Sequence, residues 1–191
     1  MISRDLTFVL GGARSGKSAF AEQLAAASAQ SVTYIATARL ALSDTEFTQR
    51  IAHHRARRPE HWALIEADAD LASALHRADG ENRCVLIDCL TLWLAGLLCP
   101  PDGTALHRDA YAAQVNAFES ALSDARGKVI VVSNEIGLGV VPLGEPTRRY
   151  VDELGRLNQR IAALATRVTL MVAGLPVAVK APGDSAGRLT C

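Results

Sequence analysis

The sequence lacks a net charge: 20 Lys and Arg stand against 20 Asp and Glu in 191 residues. Without an excess of one sign there is no diffuse attraction of the kind that drives sequence-independent binding to nucleic acid or an anionic membrane. Any strong anion site must therefore be local. No apolar run reaches the roughly 18 to 20 residues of a membrane helix, and Met1-Ile2-Ser3-Arg4-Asp5 lacks a signal peptide's basic start and cleavage site. A cytoplasmic protein is the expectation. Cys84, Cys89, Cys99 and Cys191 form no CxxC pair, which argues against zinc and for reduced thiols. Internal repeats and domain linkers are also missing. One domain is expected over residues 1–180, with a tail at 181–191 that holds Pro and two Gly and is expected to fray.

What is present is a regular alternation of strand-like and helix-like segments, with 49% hydrophobic residues to build a core. Strands are predicted at Asp5–Leu10, Ser31–Ala36, Trp62–Ile65, Cys84–Ile87, Lys128–Ser133, Val168–Val172 and Val177–Lys180. Helices are predicted at Lys17–Ala29, Thr45–Arg57, Asp70–Arg77, Leu90–Leu98, Ala105–Ala125 and Thr147–Ala165. Pro100-Pro101-Asp102-Gly103 and Gly137–Pro146 read as loops, and Gly174-Leu175-Pro176 as a turn. This order predicts an α/β fold, a mostly parallel sheet with helices on both faces and a C-terminal strand pair, and with the glycine-rich loop Gly11–Ser18 after the first strand it predicts the P-loop NTPase type.

The segment Gly11-Gly12-Ala13-Arg14-Ser15-Gly16-Lys17-Ser18 matches G-x-x-x-x-G-K-[ST] between a buried strand and a helix. Glycines let the backbone N–H groups wrap the phosphates at a helix N-terminus, where the helix dipole favours negative charge. Lys17 would reach the outer phosphates and Ser18 would place its hydroxyl on Mg²⁺. Asp88, closing Val85-Leu86-Ile87-Asp88, has the form of the second metal-linked carboxylate; its plainer reading is a cap for the following helix. A guanine-reading N-K-x-D motif is missing, which disfavours a regulatory GTPase. Neutrality and the lack of an extra domain disfavour a DNA-translocating ATPase.

Residues 50–58 hold four arginines, two histidines and no acid. On a helix, His54 would share a face with Arg50, Arg57 and Arg58, while His53 would neighbour only Arg50 and Arg57. Guanidinium groups nearby disfavour a second cation and keep His54 neutral, with a lone pair available. The same arginines could bind a triphosphate. Against this stands a solvated basic face that binds nothing. The segment by itself leaves open a general base, a phosphate ligand or a covalent nucleophile.

From Phe8 to Lys180 the chain resembles the bifunctional adenosylcobinamide kinase/adenosylcobinamide-phosphate guanylyltransferase family of cobalamin biosynthesis. The resemblance rests on Gly11–Ser18, Tyr34-Ile35-Ala36-Thr37-Ala38, Arg50–Pro59 with Trp62 and Glu66, and Asp88–Leu94. It continues through Val132–Gly137 with Gly139 and Pro142, Asp152 with Gly155–Gln159, and Met171–Pro176. It implies two reactions: phosphorylation of the corrinoid's aminopropanol hydroxyl by ATP or GTP, then transfer of GMP from GTP to that phosphate through a guanylylated histidine, with release of pyrophosphate.

The family's R-I-x-x-H-[RK] stretch places that histidine at His54. The resemblance also implies that Thr37, Ala38 and Arg39 line the guanine nucleotide site, that Arg55, Ala56, Arg57 and Arg58 hold the nucleotide after His54, and that Glu66 and Asp88 are acids of the nucleotide site. Without the family, Thr37, Glu66 and Asn134 would read as strand-end or cap residues. Glu135 is a base, a metal-linked acid or a solvated strand-end carboxylate. The implied partners are a corrinoid and a nucleoside triphosphate with Mg²⁺, and the implied assembly is a homotrimer. Loop Gly137–Pro146 and the apolar helix after Asp88 are candidates to line the corrinoid pocket. A single-activity P-loop small-molecule kinase and a nucleotide-dependent binding ATPase are the competing readings.

Overall fold

The computed structural model describes residues 5–37, 58–99 and 106–184. In chain order the elements are β1 (Asp5–Gly11), α1 (Lys17–Ala26), β2 (Ser31–Ala36), β3 (Ala63–Glu66), α2 (Leu71–Ala78), β4 (Arg83–Asp88) and α3 (Leu90–Leu98). They continue with α4 (Arg108–Asp124), β5 (Lys128–Asn134), α5 (Glu145–Leu164), β6 (Arg167–Val172) and β7 (Leu175–Lys180). The helix predicted over Thr45–Arg57, the loop from Pro100 to Ala105 and the tail beyond Asp184 lie outside the described residues.

Seven strands form one sheet in the order β3-β2-β4-β5-β1-β6-β7. Every pairing is parallel except β6 with β7. The central strands are apolar along their length because both faces are covered: β5 and β4 each bury four or more consecutive residues. Alternation along the strands then divides the core in two. Val9, Tyr34, Leu86, Ile130 and Val132 face Ala21 and Ala25 of α1. Phe8, Ile35, Ile87, Val129 and Val131 face the other helices, including Leu75, Trp93, Phe118, Leu157 and Ile161. On that second face Trp93 packs against Phe118 with ring centroids 5.3 Å apart, and its indole N–H donates to the Ala69 carbonyl at 2.9 Å, so its polar edge is satisfied.

Local chemistry sets the boundaries. Asp70 stands just before α2 and accepts from the Ser73 amide at 3.0 Å, an N-cap. Glu145 and Pro146 open α5 where amides have no helical partner. The predicted C-terminal turn is displaced. Ala173 and Gly174, with φ of 51° and 82°, form the two-residue turn of the β6–β7 hairpin, as hairpin geometry requires. Leu175 and Pro176 belong to β7. Proline is tolerated there because β7 is an edge strand.

Candidate active site

Parallel strands bring their C-terminal ends to one rim of the sheet, where ligands of such folds gather. β1 lies between β5 and β6 and delivers the phosphate loop to that rim. Gly11 ends the strand and Lys17 begins α1. Gly16 adopts φ of 91° and Arg14 φ of 58°, left-handed conformations that turn successive amides toward a shared concavity. The Ser15 amide closes the loop onto the Gly12 carbonyl at 3.2 Å, and Lys17 Nζ donates to the same carbonyl at 3.3 Å. Ser15 Oγ is buried without a hydrogen-bond partner.

The loop is packed tightly from behind. A Cβ on Gly11 would stand 2.9 Å from the Met171 carbonyl and collide with Ser15 Oγ, and one on Gly16 would meet the Gly174 Cα at 3.3 Å. The Gly174 amide donates to the Ser15 carbonyl at 3.0 Å. The β6–β7 turn is thus the back wall of the loop, and glycine is needed at both positions on steric grounds.

Asp88 and Glu135 reach the same rim from β4 and β5. The Glu135 amide donates to the Gly11 carbonyl at 3.2 Å, and its Oε1 accepts from the Gly137 amide at 2.9 Å. Asp88 Oδ2 accepts from the Tyr34 hydroxyl at 3.1 Å. It does not cap the following helix, where Cys89 holds the N-cap position with no side-chain bond. Burial pushes the Cys89 thiol up to about 11, with the Asp88 charge adding to it and Lys17 opposing. Cys89 therefore senses both the loop lysine and the strand-end acid.

Thr37 and Glu66 extend the rim toward its β3 edge. The buried Thr37 hydroxyl donates to the Cys89 carbonyl at 2.7 Å and accepts from the Cys89 amide at 2.8 Å. Its hydrogen-bonding capacity is thus committed to fixing the residue after Asp88. Glu66 is in register with Ala36, and Ala36 with Asp88. Arg58 lies over the Tyr34 ring, 4.1 Å from its centroid. Ala38, Arg39, His54, Arg55, Ala56 and Arg57 lie outside the described residues.

Spacing in the sequence gave no signal for two features. One is the Arg58–Tyr34–Asp88 stack. The other is a polar cluster behind Glu135: the Asn134 amide donates to Thr91 Oγ1 at 3.0 Å, the Asn158 side chain donates to the Asn134 carbonyl at 3.0 Å, and the Tyr150 hydroxyl donates to the Thr91 carbonyl at 2.8 Å. In the sequence Asn158 is distinguished only by lying in the family-like segment Gly155–Gln159.

The donors suit Mg²⁺. The Ser18 hydroxyl and the Asp88 carboxylate are hard oxygen donors of the kind that Mg²⁺ takes, and no group of three His, Cys, Asp or Glu that could cage a metal occurs among the described residues. A few protein oxygens completed by water and phosphate are what magnesium prefers. The arrangement can hold a polyphosphate against backbone amides and Lys17, with carboxylates one and two strands away.

Residues 7–179 match the family model described as cobinamide kinase / cobinamide phosphate guanyltransferase. The chain is 52% identical over 177 residues to the bifunctional adenosylcobalamin biosynthesis protein CobP of Pseudomonas aeruginosa, covering 93% of this chain and 97% of that protein. It is 38% identical over 183 residues to the bifunctional adenosylcobalamin biosynthesis protein CobU of Escherichia coli K12, covering 92% and 99%. A chain from a structural study of a Pyrococcus horikoshii OT3 protein superposes with a TM-score of 0.56 at 7% identity, over 94% of this chain and 88% of that one, a likeness of fold alone. This chain belongs to the cobinamide kinase / cobinamide phosphate guanyltransferase family.

Proposed function

We propose that this chain, acting as one domain over residues 1–180 in the cytoplasm, phosphorylates adenosylcobinamide and then guanylylates the product. The observation that carries the reading is a phosphate loop with left-handed Gly16 and Lys17 at a helix start, in a chain whose family match runs nearly end to end. In the first reaction the aminopropanol hydroxyl oxygen attacks the γ-phosphorus of ATP or GTP, its proton passes to solvent, and the bond to the β-phosphate oxygen breaks, releasing ADP or GDP. Amides of Gly11 to Ser18 and the Lys17 ammonium take up the charge that develops. Mg²⁺, held by Ser18 and Asp88, would neutralise phosphate oxygens when bound.

In the second reaction a ring nitrogen of His54 attacks the α-phosphorus of GTP. A P–N bond forms and the bond to pyrophosphate breaks. A phosphate oxygen of the acceptor then attacks, the P–N bond breaks, and adenosylcobinamide-GDP leaves with the histidine restored. Arg55, Ala56, Arg57 and Arg58 hold the nucleotide beside His54, Thr37, Ala38 and Arg39 line the guanine site, and Glu66 is an acid of the same site. The acceptor is met on the side of loop Gly137–Pro146, where a cleft of about 390 Å³ opens between that loop and α5. The subunit works in a homotrimer. The exposed Leu138, Val140, Val141 and Leu143 of that loop and Leu175, Val177 and Val179 of β7 favour association, which light scattering tests.

The deciding experiment incubates the protein with α-labelled GTP and then denatures it. Label is expected on the protein, lost in acid, kept in base, present in His53→Ala and missing in His54→Ala. Label retained by His54→Ala refutes that assignment. With no label at all, cobinamide-dependent consumption of ATP marks a single-activity kinase.

A further inference from the structure

Tyr34 sits in the middle of β2, in register with Leu86 of β4, while Ala36 is in register with Asp88. Residues two apart on a strand share a face, so Tyr34, Leu86 and Asp88 all turn toward α1, and Tyr34 can lean forward to the strand-end acid. It does so with its hydroxyl, 3.1 Å from Asp88 Oδ2. Its ring face carries the Arg58 guanidinium at 4.1 Å. The ring itself is fixed, only 4% exposed and packed among Val32, Trp62, Leu86 and the α1 alanines. The hydroxyl donates this bond and Asp88 accepts it.

One side chain thus touches two groups of different origin: the acid at the end of β4 and Arg58, which closes the sequence segment bearing His54. We propose that Tyr34 is a positioning residue for both reactions, its hydroxyl aiming the Asp88 carboxylate at the metal and its ring seating Arg58 for the nucleotide. This rests on the roles given to Asp88 and Arg58 above. The flat guanidinium lies on the face of the ring, a contact that a lysine could not reproduce.

The two contacts separate by substitution. Tyr34→Phe removes the hydroxyl and keeps the ring, and Tyr34→Leu removes both. Two equilibrium measurements read them: Mn²⁺ affinity in the presence of a non-hydrolysable GTP analogue, from the electron paramagnetic resonance of free Mn²⁺, and affinity for a fluorescent GDP analogue in EDTA. Tyr34→Phe is expected to weaken Mn²⁺ at least threefold with metal-free nucleotide affinity within twofold of the parent. Tyr34→Leu is expected to weaken the nucleotide by about threefold as well, the size of a cation–π contact, and to add less than twofold in an Arg58→Gln background. A merely structural role would lower the number of sites per chain and leave the midpoints in place.

If Tyr34→Phe keeps its Mn²⁺ affinity while Asp88→Asn loses it, the hydroxyl's role is overturned and the reading of Asp88 stands. If Asp88→Asn itself keeps Mn²⁺ affinity, that reading falls and the hydroxyl's role falls with it. Equal GDP-analogue affinity in Tyr34→Phe and Tyr34→Leu overturns the seating of Arg58.

Discussion

Thr37 offers the sharpest quantitative test, because family likeness places it at the guanine site while its hydroxyl is committed elsewhere. Thr37→Val keeps the shape of the side chain and deletes one donor and one acceptor. The Cys89 amide, bonded to that hydroxyl at 2.8 Å, loses its partner, while the Cys89 carbonyl, bonded to it at 2.7 Å, keeps the Trp93 amide at 3.3 Å. Thr37 is 3% and Cys89 7% exposed, so water cannot substitute without a rearrangement. The orphaned buried amide costs about 1–3 kcal/mol. In a chain of this size each kcal/mol moves Tm by roughly 2–4 °C, so a fall of about 2–12 °C is expected. Thr37→Ser retains the oxygen and is expected to recover most of it, with nucleotide affinity within twofold of the parent. Urea unfolding at unchanged m-value is the assay. A Thr37→Val loss below about 1 kcal/mol, or a Thr37→Ser loss equal to it, refutes the bracing role.

Gly16→Ala forces a side chain into a left-handed position, a cost of about 1–2 kcal/mol, and presses it against Gly174. Nucleotide affinity measured by calorimetry is expected to fall at least tenfold, whereas Gly12→Ala, with open space around its Cβ, is expected to leave stability within about 0.5 kcal/mol; an unchanged Gly16→Ala affinity contradicts the packing argument. Asp70→Ala is expected to cost about 1 kcal/mol at pH 7, as loss of an N-cap does. The Ser73 bonds hold Asp70 below its ordinary carboxylate range, so its contribution is full above the unfolded value of about 3.9 and fades as pH falls through the lower folded value. Parent and variant should converge in acid, and a gap that widens there rules the cap out. Mass-spectrometric mapping after iodoacetamide at pH 8 is expected to find the exposed Cys99 alkylated and Cys89 protected, since Cys89 is buried and held as a thiol; equal labelling of the two contradicts this.

Local signals in the sequence were strong where one physical cause dominates. Apolar runs locate strands buried on both faces, so Ser31–Ala36 and the helix Leu90–Leu98 match to the residue. Glycines in the loop announce an anion cradle because left-handed backbone at Gly16 demands them. Where two causes compete, the sequence misled. Pro176 suggested a turn, yet an edge strand accepts proline, and the positive φ fell on Ala173 and Gly174 instead. Long-range pairing was beyond reach: Tyr34 and Asp88 are 54 positions apart and Thr37 and Cys89 are 52. Nothing in spacing says which strand becomes the neighbour of which, and that order alone creates both contacts.

The hairpin wall behind the phosphate loop has a consequence in time. The loop is made well before Gly174, whose amide holds Ser15, and Leu6 well before Thr166, which bonds it across 160 positions. At about 5–20 residues per second, a nascent chain spends roughly ten to thirty seconds with the loop already outside and its support still unmade. During that interval the phosphate loop has its sequence but not its shape. Ligand capture is thereby reserved for the finished chain, and truncations that spare every loop residue but remove the final hairpin should abolish it.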